Sequence, residues 1–413
     1  MSAHHEEGPV VPKQEVQIAA NSGWRRAPII SGVIGIAALG AAFALKGEGE
    51  ASQQFYMAYL TALMTFLAIG LGGFFFTLIQ HATRAGWSIV VRRIAEHLGM
   101  TLPLLGLLAL PVVFIGTHDL FHWSHPGVTD HDPVLAAKAA YLNEGSFRLR
   151  AIIYLVVWVV VPGLLWLWST KQDHAKDPRP YSARSRFWSP LGLLLFGLSL
   201  TFAAFDWLMS LDPHWFSTIF GVYYFAGTAL SSLAFIVLVV LLLHRSGYLR
   251  GVVTMEHFHD LGKLMFGFTV FWAYMAFSQY MLIWYASIPE ETGWYMYRGQ
   301  GSWLALSIVL VFVRFAIPFL GLLSRTIKRR PAVMMAAAIW LLAAQYVDMF
   351  WLIHPPIAHA NGWLDLRINV QDVLTLVGIG GIWYAAFAWL LVRHPLVPLQ
   401  DPRLQESVHF ENF

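Results

Sequence analysis

Long apolar stretches follow one another along most of this chain. Each spans at least about 18 residues, which is enough to cross a hydrocarbon core of about 30 Å as a helix. The 413 residues are 57% hydrophobic and only 12% charged, whereas a typical soluble domain has about 25% charged residues. These features predict an all-α polytopic membrane protein.

Hydropathy divides the chain into ten predicted spanning helices. They lie near residues 28–46, 54–80, 95–116, 149–170, 188–209, 218–244, 262–287, 302–325, 331–353 and 370–393. Residues 1–27 and 394–413 are left as terminal tails of a membrane domain at 28–393. The N-terminal stretch MSAHHEEGPVVPKQEVQ lacks the basic start and apolar centre of a signal peptide. We therefore expect a disordered tail, with the first helix acting as the insertion signal.

Lysine and arginine predict the orientation of the helices. Most of the 27 basic residues fall in the tails and in the loops after helices 2, 4, 6 and 8. Because cytoplasmic loops are enriched in these residues, both termini are predicted to be cytoplasmic. Arg314 lies inside a span, and the other side carries only Lys46, Lys138, Arg148, Arg150, Arg298 and Arg367.

Two loops resemble each other at an offset of four helices. RAGWSIVVRRIAEHLG (84–99) follows helix 2, and RSGYLRGVVTMEHFHDLG (245–262) follows helix 6. Helices 4 and 8 also share a proline within the span, Pro162 and Pro318. A parallel repeat of two four-helix bundles accounts for this pattern, and so does a chance likeness of short loops. Helix 1 is rich in small residues, which predicts close packing on a neighbouring helix.

Several ionisable groups lie in segments that should be in lipid, where insertion of a charge costs about 2.5–3.5 kcal/mol. Arg314 is the deepest, Asp348 lies in the outer half of helix 9, and Asp206 ends helix 5 in TFAAFDWLMSLDPHW (201–215). Each is either a structural partner or interfacial group, or part of a functional site. Helix 7 adds three polar side chains, Tyr274, Gln279 and Tyr280.

Histidines and acids also cluster at both surfaces. THDLFHWSHPGVTDHD (117–132) places His118 and His122 four residues apart, with Asp119 between them. That spacing is compatible with zinc if a helix continues there, but a proton-exchanging or solvated loop is the favoured interpretation. At the other surface, MEHFHDLG (255–262) starts helix 7 and predicts either simple helix anchoring or a proton-collecting mouth. Its ionisable residues are Glu256, His257, His259 and Asp260.

The composition argues against a redox centre within this chain. Cysteine is absent, which excludes thiolate-held iron–sulfur clusters and disulfides. All 17 histidines fall in tails, loops or predicted helix ends, so we expect no bis-histidine haem across the membrane. We also predict no bound metal and no catalytic residue. The basic residues follow membrane topology, so no nucleic-acid partner is expected.

Three segments closely resemble the ActF-type membrane subunit of alternative complex III, a bacterial quinol:electron-acceptor oxidoreductase related to the polysulfide-reductase NrfD-like membrane subunits. They are FDWLMSLDPHWFSTIFGVYYFAG (205–227), MEHFHDLGKLMFGFTVFWAYMAFSQYMLIWYASIPEET (255–292) and THDLFHWSH (117–125). The resemblance covers nearly the whole chain. It implies two four-helix bundles, helices 2–5 and helices 6–9, flanked by helices 1 and 10.

The resemblance also implies a function and a setting. In that family, electrons pass through c-type haem subunits and an iron–sulfur subunit, and a homologous sister membrane subunit is the main quinol-oxidation site. The chain would lie in the bacterial inner membrane with lipids around it, as a possible quinone-binding subunit, with a terminal oxidase as a further candidate partner.

By position, Asp206, Asp348, His118 and Asp119 would belong to an outer proton path. Arg314 would act as a fixed charge or a gate at the midpoint, beside the polar groups of helix 7. Glu256, His257, His259 and Asp260 would form the inner mouth of the path.

Two other interpretations stay open. The chain could anchor peripheral haem subunits while its polar groups merely hold helices together. A secondary transporter also has ten or so helices, broken helices and intramembrane charges. The transporter predicts Gly-rich breaks at matching positions of both halves, and neither Pro162 nor Pro318 has one beside it.

Overall fold

The fold is known from a computed structural model that describes residues 11–363 and 365–411. Ten helices of this described part are long and apolar enough to cross a membrane, as predicted. We number them α1 to α10, and they run Gly23–Ala44, Glu50–Ala82, Ile89–Phe114, Glu144–Gln172, Arg179–Leu211, Phe220–Arg245, Met255–Ala286, Gly301–Leu323, Pro331–Ala360 and Val370–Arg393.

Several helices extend beyond the apolar segment that predicted them. α3 begins at Ile89 rather than 95, and α9 continues through two prolines to Ala360. Polar side chains fix the starts of others: Asn143 accepts from the Ser146 backbone N–H before α4, and Asn369 and Asp372 form a capping box at α10. Such caps satisfy amide groups that have no partner within the helix.

The helices form two closed four-helix rings that share one long interface. In the first ring, α2 contacts α3 and α5, and α4 closes the ring between them. In the second, α6 contacts α7 and α9, and α8 closes the ring. α2 and α6 pack against each other at the centre and are almost entirely buried. The predicted bundles of helices 2–5 and 6–9 are therefore confirmed.

The outermost helices, α1 and α10, pack mainly against each other, and α10 also rests on α2. Glycines bring the two backbones together: a Cβ atom on Gly35 would lie 2.5 Å from the Ile382 backbone nitrogen. The small residues of helix 1 thus serve the predicted packing on a neighbour.

Both chain termini of the described part meet at one end of the bundle, which also carries most of the arginines; we call it the basic end. The Leu396 N–H donates to the Val16 carbonyl at 2.7 Å, and the Leu249 N–H to the Glu15 carbonyl at 2.9 Å. Val16 and Ile18 are 1% exposed. The expectation of a disordered N-terminal tail was therefore wrong for residues 11–17, because two apolar side chains anchor it. Residues 1–10 lie outside the described residues.

Candidate functional site

Arg314 on α8 and Asp348 on α9 meet inside the second ring. Arg314 Nε lies 3.4 Å from Asp348 Oδ2, and the two side chains are 0% and 1% exposed. Arg314 therefore has a carboxylate partner, which is one of the roles considered for it from the sequence. An ion pair removed from solvent to this degree pays a large desolvation cost, so its surroundings must supply compensating hydrogen bonds.

Neighbouring helices supply the donors to the carboxylate. Tyr223 on α6 donates its hydroxyl to Asp348 Oδ1, and the Trp272 indole N–H on α7 donates to Oδ2 at 3.1 Å. Thus every helix of the second ring contributes one side chain to the cluster of Arg314, Asp348, Tyr223 and Trp272, which we call the Asp348 cluster. Charge-assisted bonds of this kind favour the ionised carboxylate.

The backbone around Arg314 and a glycine on α6 place the guanidinium here. Residues Phe312–Ala316 form a single π-helical turn within α8, and Pro318 follows four residues after Arg314. Such turns re-aim side chains within α-helices and often mark functional positions. On α6, a Cβ at Gly227 would lie 2.7 Å from Arg314 Nη2, so a glycine is required for the guanidinium to fit.

The guanidinium is not fully hydrogen-bonded. Arg314 Nη2 donates to Gln345 Oε1, yet Arg314 Nη1, Arg314 Nε and Gln345 Nε2 find no hydrogen-bond acceptor among the described residues. Buried donors are normally satisfied by protein or by ordered water. The Asp348 cluster thus has unused donors next to a buried carboxylate.

A second buried pair lies in the first ring. Arg150 on α4 donates from Nε to Asp206 Oδ2 at 2.8 Å and from Nη2 to Oδ1 at 2.9 Å, while the Tyr154 hydroxyl donates to Oδ2 at 2.6 Å. Asp206 is completely buried, whereas the Arg150 side chain is 17% exposed. This bidentate pair satisfies the carboxylate, so Asp206 is not the free interfacial acid considered from the sequence.

The two pairs occupy equivalent helices of the two rings, because each joins an arginine of the third helix to an aspartate of the fourth. Their depths differ. Arg150 lies six residues after the start of α4 at 144, and Arg314 thirteen after the start of α8 at 301. A difference of seven residues corresponds to two helical turns, or about 10 Å. The pairs therefore occupy two levels, with Asp206 nearer the end of the bundle opposite the basic end.

His118 and Asp119 lie at that opposite end, in a loop. The helical turn Thr117–Leu120 stops at an extended Phe121, so the helix that zinc binding would have required does not continue and His118 and His122 do not share a helical face. His118 pairs with Glu144 at 3.2 Å instead. No group of three or more potential metal ligands occurs in the described ranges. Within those ranges no hydrogen bond or ion pair joins His118 or Asp119 to either buried aspartate.

The same surface is held together by Asp132, which lies outside the spans. Its Oδ2 is 2.5 Å from His214 Nε2, and its Oδ1 accepts from the Val134 and Leu135 backbone. The hydrogen bond from His214, which outweighs partial desolvation, lowers the pKa of the Asp132 carboxyl. This contact ties the loop after α3 to the loop after α5.

The predicted inner mouth lies at the basic end, where α7 begins. Glu256 is paired with Arg329, and Asp260 with Lys263. His257 is completely buried: its Nδ1 accepts from the Thr254 backbone N–H at 3.0 Å, completing a capping box. Its Nε2 lies 3.0 Å from the Ser407 carbonyl. His257 therefore anchors the C-terminal tail, whereas the neighbouring His259 is 8% exposed.

The three polar residues of helix 7 do not share one environment. Gln279 is buried and bridges the Ser217 hydroxyl at 3.0 Å and the Tyr295 hydroxyl at 3.1 Å. Tyr274 and Tyr280 are 62% and 45% exposed on the surface of the chain. These two tyrosines therefore lie apart from the interior polar residues, because α7 turns those positions away from α6.

Sequence reasoning missed most partners of the two aspartates. Tyr223 and Trp272 are aromatic residues in aromatic-rich helices, and Arg150 was counted only as a loop charge. Each lies on a helix remote in sequence from its aspartate, so no local spacing indicated the contact. The one available signal was the glycine at 227 within the long apolar run of α6.

Two histidines lie further inside helices than expected. Because α3 begins earlier and α9 ends later than predicted, His97 and His354 fall within them. His97 Nδ1 accepts from the Trp166 indole at 3.2 Å, and His354 Nε2 is 3.2 Å from the Thr61 hydroxyl. The expectation that every histidine lies in a tail, a loop or a helix end was wrong for these two.

A small cavity adjoins His354, where Asp372 Oδ1 lies 3.8 Å from its Nε2. The cavity has a volume of about 10 Å³, which is about that of one water-sized probe. The cavity is therefore too small for a quinone ring.

The sequence was also compared with known proteins. No protein-family model matches the chain, and a search of curated proteins finds no match.

Proposed function

We propose that the chain is an integral membrane subunit of a quinol-oxidising respiratory complex, in which it conducts protons while partner subunits carry the electrons. The resemblance of residues 117–125, 205–227 and 255–292 to ActF-type subunits supports the complex. In this proposal c-type haem subunits, an iron–sulfur subunit and a sister membrane subunit accompany the chain in the bacterial inner membrane, with both termini cytoplasmic.

The proton-conducting part of the proposal rests on the Asp348 cluster. A buried pair that only held helices together would be expected to have its donors satisfied, because each unsatisfied group costs about 1–3 kcal/mol. Arg314 instead has donors without a protein acceptor beside a buried carboxylate. Water can serve such donors, and a hydrated carboxylate next to a fixed cation is able to accept and release a proton.

In this proposal the chain's own residues have distinct tasks. Asp348 takes up and releases the proton, Tyr223 and Trp272 stabilise its ionised form by hydrogen bonding, and Arg314 provides the fixed charge of a gate. The Arg150–Asp206 pair, two turns nearer the opposite end, forms the next polar level toward that surface. His118 and Asp119 would extend the route there, and Glu256, His259 and Asp260 would begin it at the basic end.

A scaffolding role within the same complex is the second candidate. The complete hydrogen bonding of Asp206 by Arg150 and Tyr154 favours this role, because a fully satisfied ion pair can serve simply to hold α4 and α5 together. In this alternative the chain anchors peripheral subunits and neither pair changes its protonation.

Affinity purification of the tagged chain from its native membrane in mild detergent tests the complex. The proposal predicts c-type haem absorption bands, an iron–sulfur subunit and quinol oxidation activity at a fixed ratio to the chain. A chain that purifies alone and colourless contradicts it. If the complex is present but Asp348→Asn leaves proton movement unchanged, the scaffold is supported instead.

A further inference from the structure

A cavity of about 250 Å³ opens at the basic end, between the ends of α2, α3 and α5 and the C-terminal tail. A water molecule takes up roughly 30 Å³ in the liquid, so the cavity accommodates a hydrated polyatomic ion. Its basic lining comes from four separate segments of the chain: His81, Arg84, Arg92, Arg179, Arg186 and Arg403.

The charges in this lining do not balance. Asp401 is the one acid that contributes to the wall, and it binds Arg92 at 2.6 Å. Arg403 is paired with Glu406 at 2.6 Å outside the lining. Neither Arg84 nor Arg186 forms an ion pair within the part of the chain that the structure describes. The cavity thus carries an excess of positive charge.

A buried polar atom in the same wall has no partner. The His81 side chain, in the last turn of α2, lines the cavity and the residue is 9% exposed. Its Nε2 is buried and finds no hydrogen-bond partner among the described residues. Buried side-chain nitrogens are normally paired with protein or with ordered water, so this atom is free to contact a molecule held in the cavity.

The cavity is also preorganised. Arg84 adopts a left-handed backbone conformation with φ of 55°, and its carbonyl accepts from Arg403 Nη1. The Arg92–Asp401 ion pair fixes the tail that closes the other side. These contacts hold the loop after α2 and the C-terminal tail in place without a ligand.

We propose that this cavity binds an anionic phosphate group, with Arg84, Arg186 and His81 as its principal ligands. Arginine guanidinium groups match phosphate oxygens in geometry and charge. Because the cavity lies where three spans end at the basic end, the headgroup of an anionic phospholipid is the nearest source. A soluble phosphate compound has the same chemistry and is the other source.

Native mass spectrometry of the full-length chain, purified with the subunits that accompany it, measures such binding. Cardiolipin, phosphatidylcholine and inorganic phosphate are the probes. Arg186→Gln is the main variant, and Arg184→Gln is its matched control, because Arg184 is an exposed arginine two residues away that does not line the cavity. Arg84→Gln tests the same cavity from a different loop.

The proposal predicts saturable binding of cardiolipin. Arg186→Gln and Arg84→Gln should each weaken this binding about tenfold, which corresponds to the loss of roughly one charge-assisted hydrogen bond. Arg184→Gln should leave the binding unchanged. Competition by inorganic phosphate would show that the phosphate group is what is recognised. Phosphate binding with the same pattern of variants but no cardiolipin binding would assign a soluble occupant. Equal weakening by Arg184→Gln and Arg186→Gln, or no binding of any phosphate-bearing probe, overturns the proposal.

Discussion

Arg314 on α8 and Asp348 on α9 form an ion pair at 3.4 Å in which neither side chain is more than 1% exposed. The equivalent helices of the first ring form the pair of Arg150 and Asp206, two turns nearer the opposite end. The two rings therefore repeat one arrangement at two depths. The pairs differ in hydrogen bonding: Asp206 is satisfied by its neighbours, whereas Arg314 retains unused donors.

Gly227 is predicted to be essential for the position of Arg314. In Gly227→Ala the new methyl group would lie 2.7 Å from Arg314 Nη2, so the guanidinium must shift from its position between Gln345 and Asp348. We expect proton movement driven by quinol oxidation to fall at least about tenfold, since losing a charge-assisted contact costs more than 1.4 kcal/mol. Gly197→Ala on α5 is the control, because a Cβ there meets nothing within 4 Å. Equal activity in the two variants would show that this close approach is unimportant.

The packing of α1 on α10 depends on Gly35. A Cβ atom there would be 2.5 Å from the Ile382 backbone nitrogen. A backbone atom, unlike the end of a side chain, cannot rotate out of the way. We expect Gly35→Ala to lower the free energy of unfolding by about 1–3 kcal/mol, as overpacking does. Thermal unfolding in detergent measures the change. Gly40→Ala on the same helix, where nothing lies within 4 Å, should have no such effect. Equal melting temperatures for the two variants would contradict the packing described.

Arg150 is predicted to stabilise the fold by neutralising Asp206. Arg150→Met leaves a fully buried carboxylate without its charged partner, although the Tyr154 hydroxyl still donates to it. This loss should cost about 3 kcal/mol of unfolding free energy. Adding Asp206→Leu removes the unpaired charge, so the double variant should recover much of the lost stability. Unfolding in detergent of Arg150→Met, Asp206→Leu and the double variant tests this. If the losses of unfolding free energy in the two single variants simply add in the double variant, the pair is not coupled and its structural role is refuted.

Docking of the C-terminal tail should resist mild acid. Burial raises the pKa of the Asp401 carboxyl, but the Arg92 guanidinium at 2.6 Å more than offsets this, so the pKa lies below the ordinary value of 3.8. The stabilisation is therefore complete above pH 3.8 and is lost as the pH falls through the lower folded value,. The increase in cleavage of the tail that Asp401→Asn causes in limited proteolysis should therefore be constant between about pH 5 and 8. An effect of Asp401→Asn that disappears near pH 6 would contradict the assignment.

The helices were predictable from the sequence because membrane solvation leaves few alternatives: an apolar segment of sufficient length must satisfy its own backbone. The helix ends were less predictable, since Ile89–Glu96 and Met255–Asp260 are polar or amphipathic and remain helical through contacts with the tail. Because α3 begins earlier and α9 ends later than predicted, His97 and His354 lie inside helices.

The sequence indicated which ionisable residues required partners, but it did not identify all of the partner residues. Arg314 and Asp348 were identified because each is conspicuous within an apolar run. Trp272 and Tyr223 were not, since an aromatic side chain in lipid needs no explanation. The exposed position of Tyr274 was not predictable either, because polarity alone does not tell which face of α7 meets α6.

Proton movement in Asp348→Asn tests the central claim most directly. The purified assembly would be placed in vesicles, with quinol oxidation and external pH recorded together, and haem content would confirm that the assembly is intact. Asp177→Asn is the matched control, because that aspartate is exposed at the basic end. We predict that Asp348→Asn lowers proton movement by about 100-fold, the scale of a lost acid–base group, while Asp177→Asn leaves it unchanged. Wild-type proton movement in an intact Asp348→Asn assembly would contradict the account.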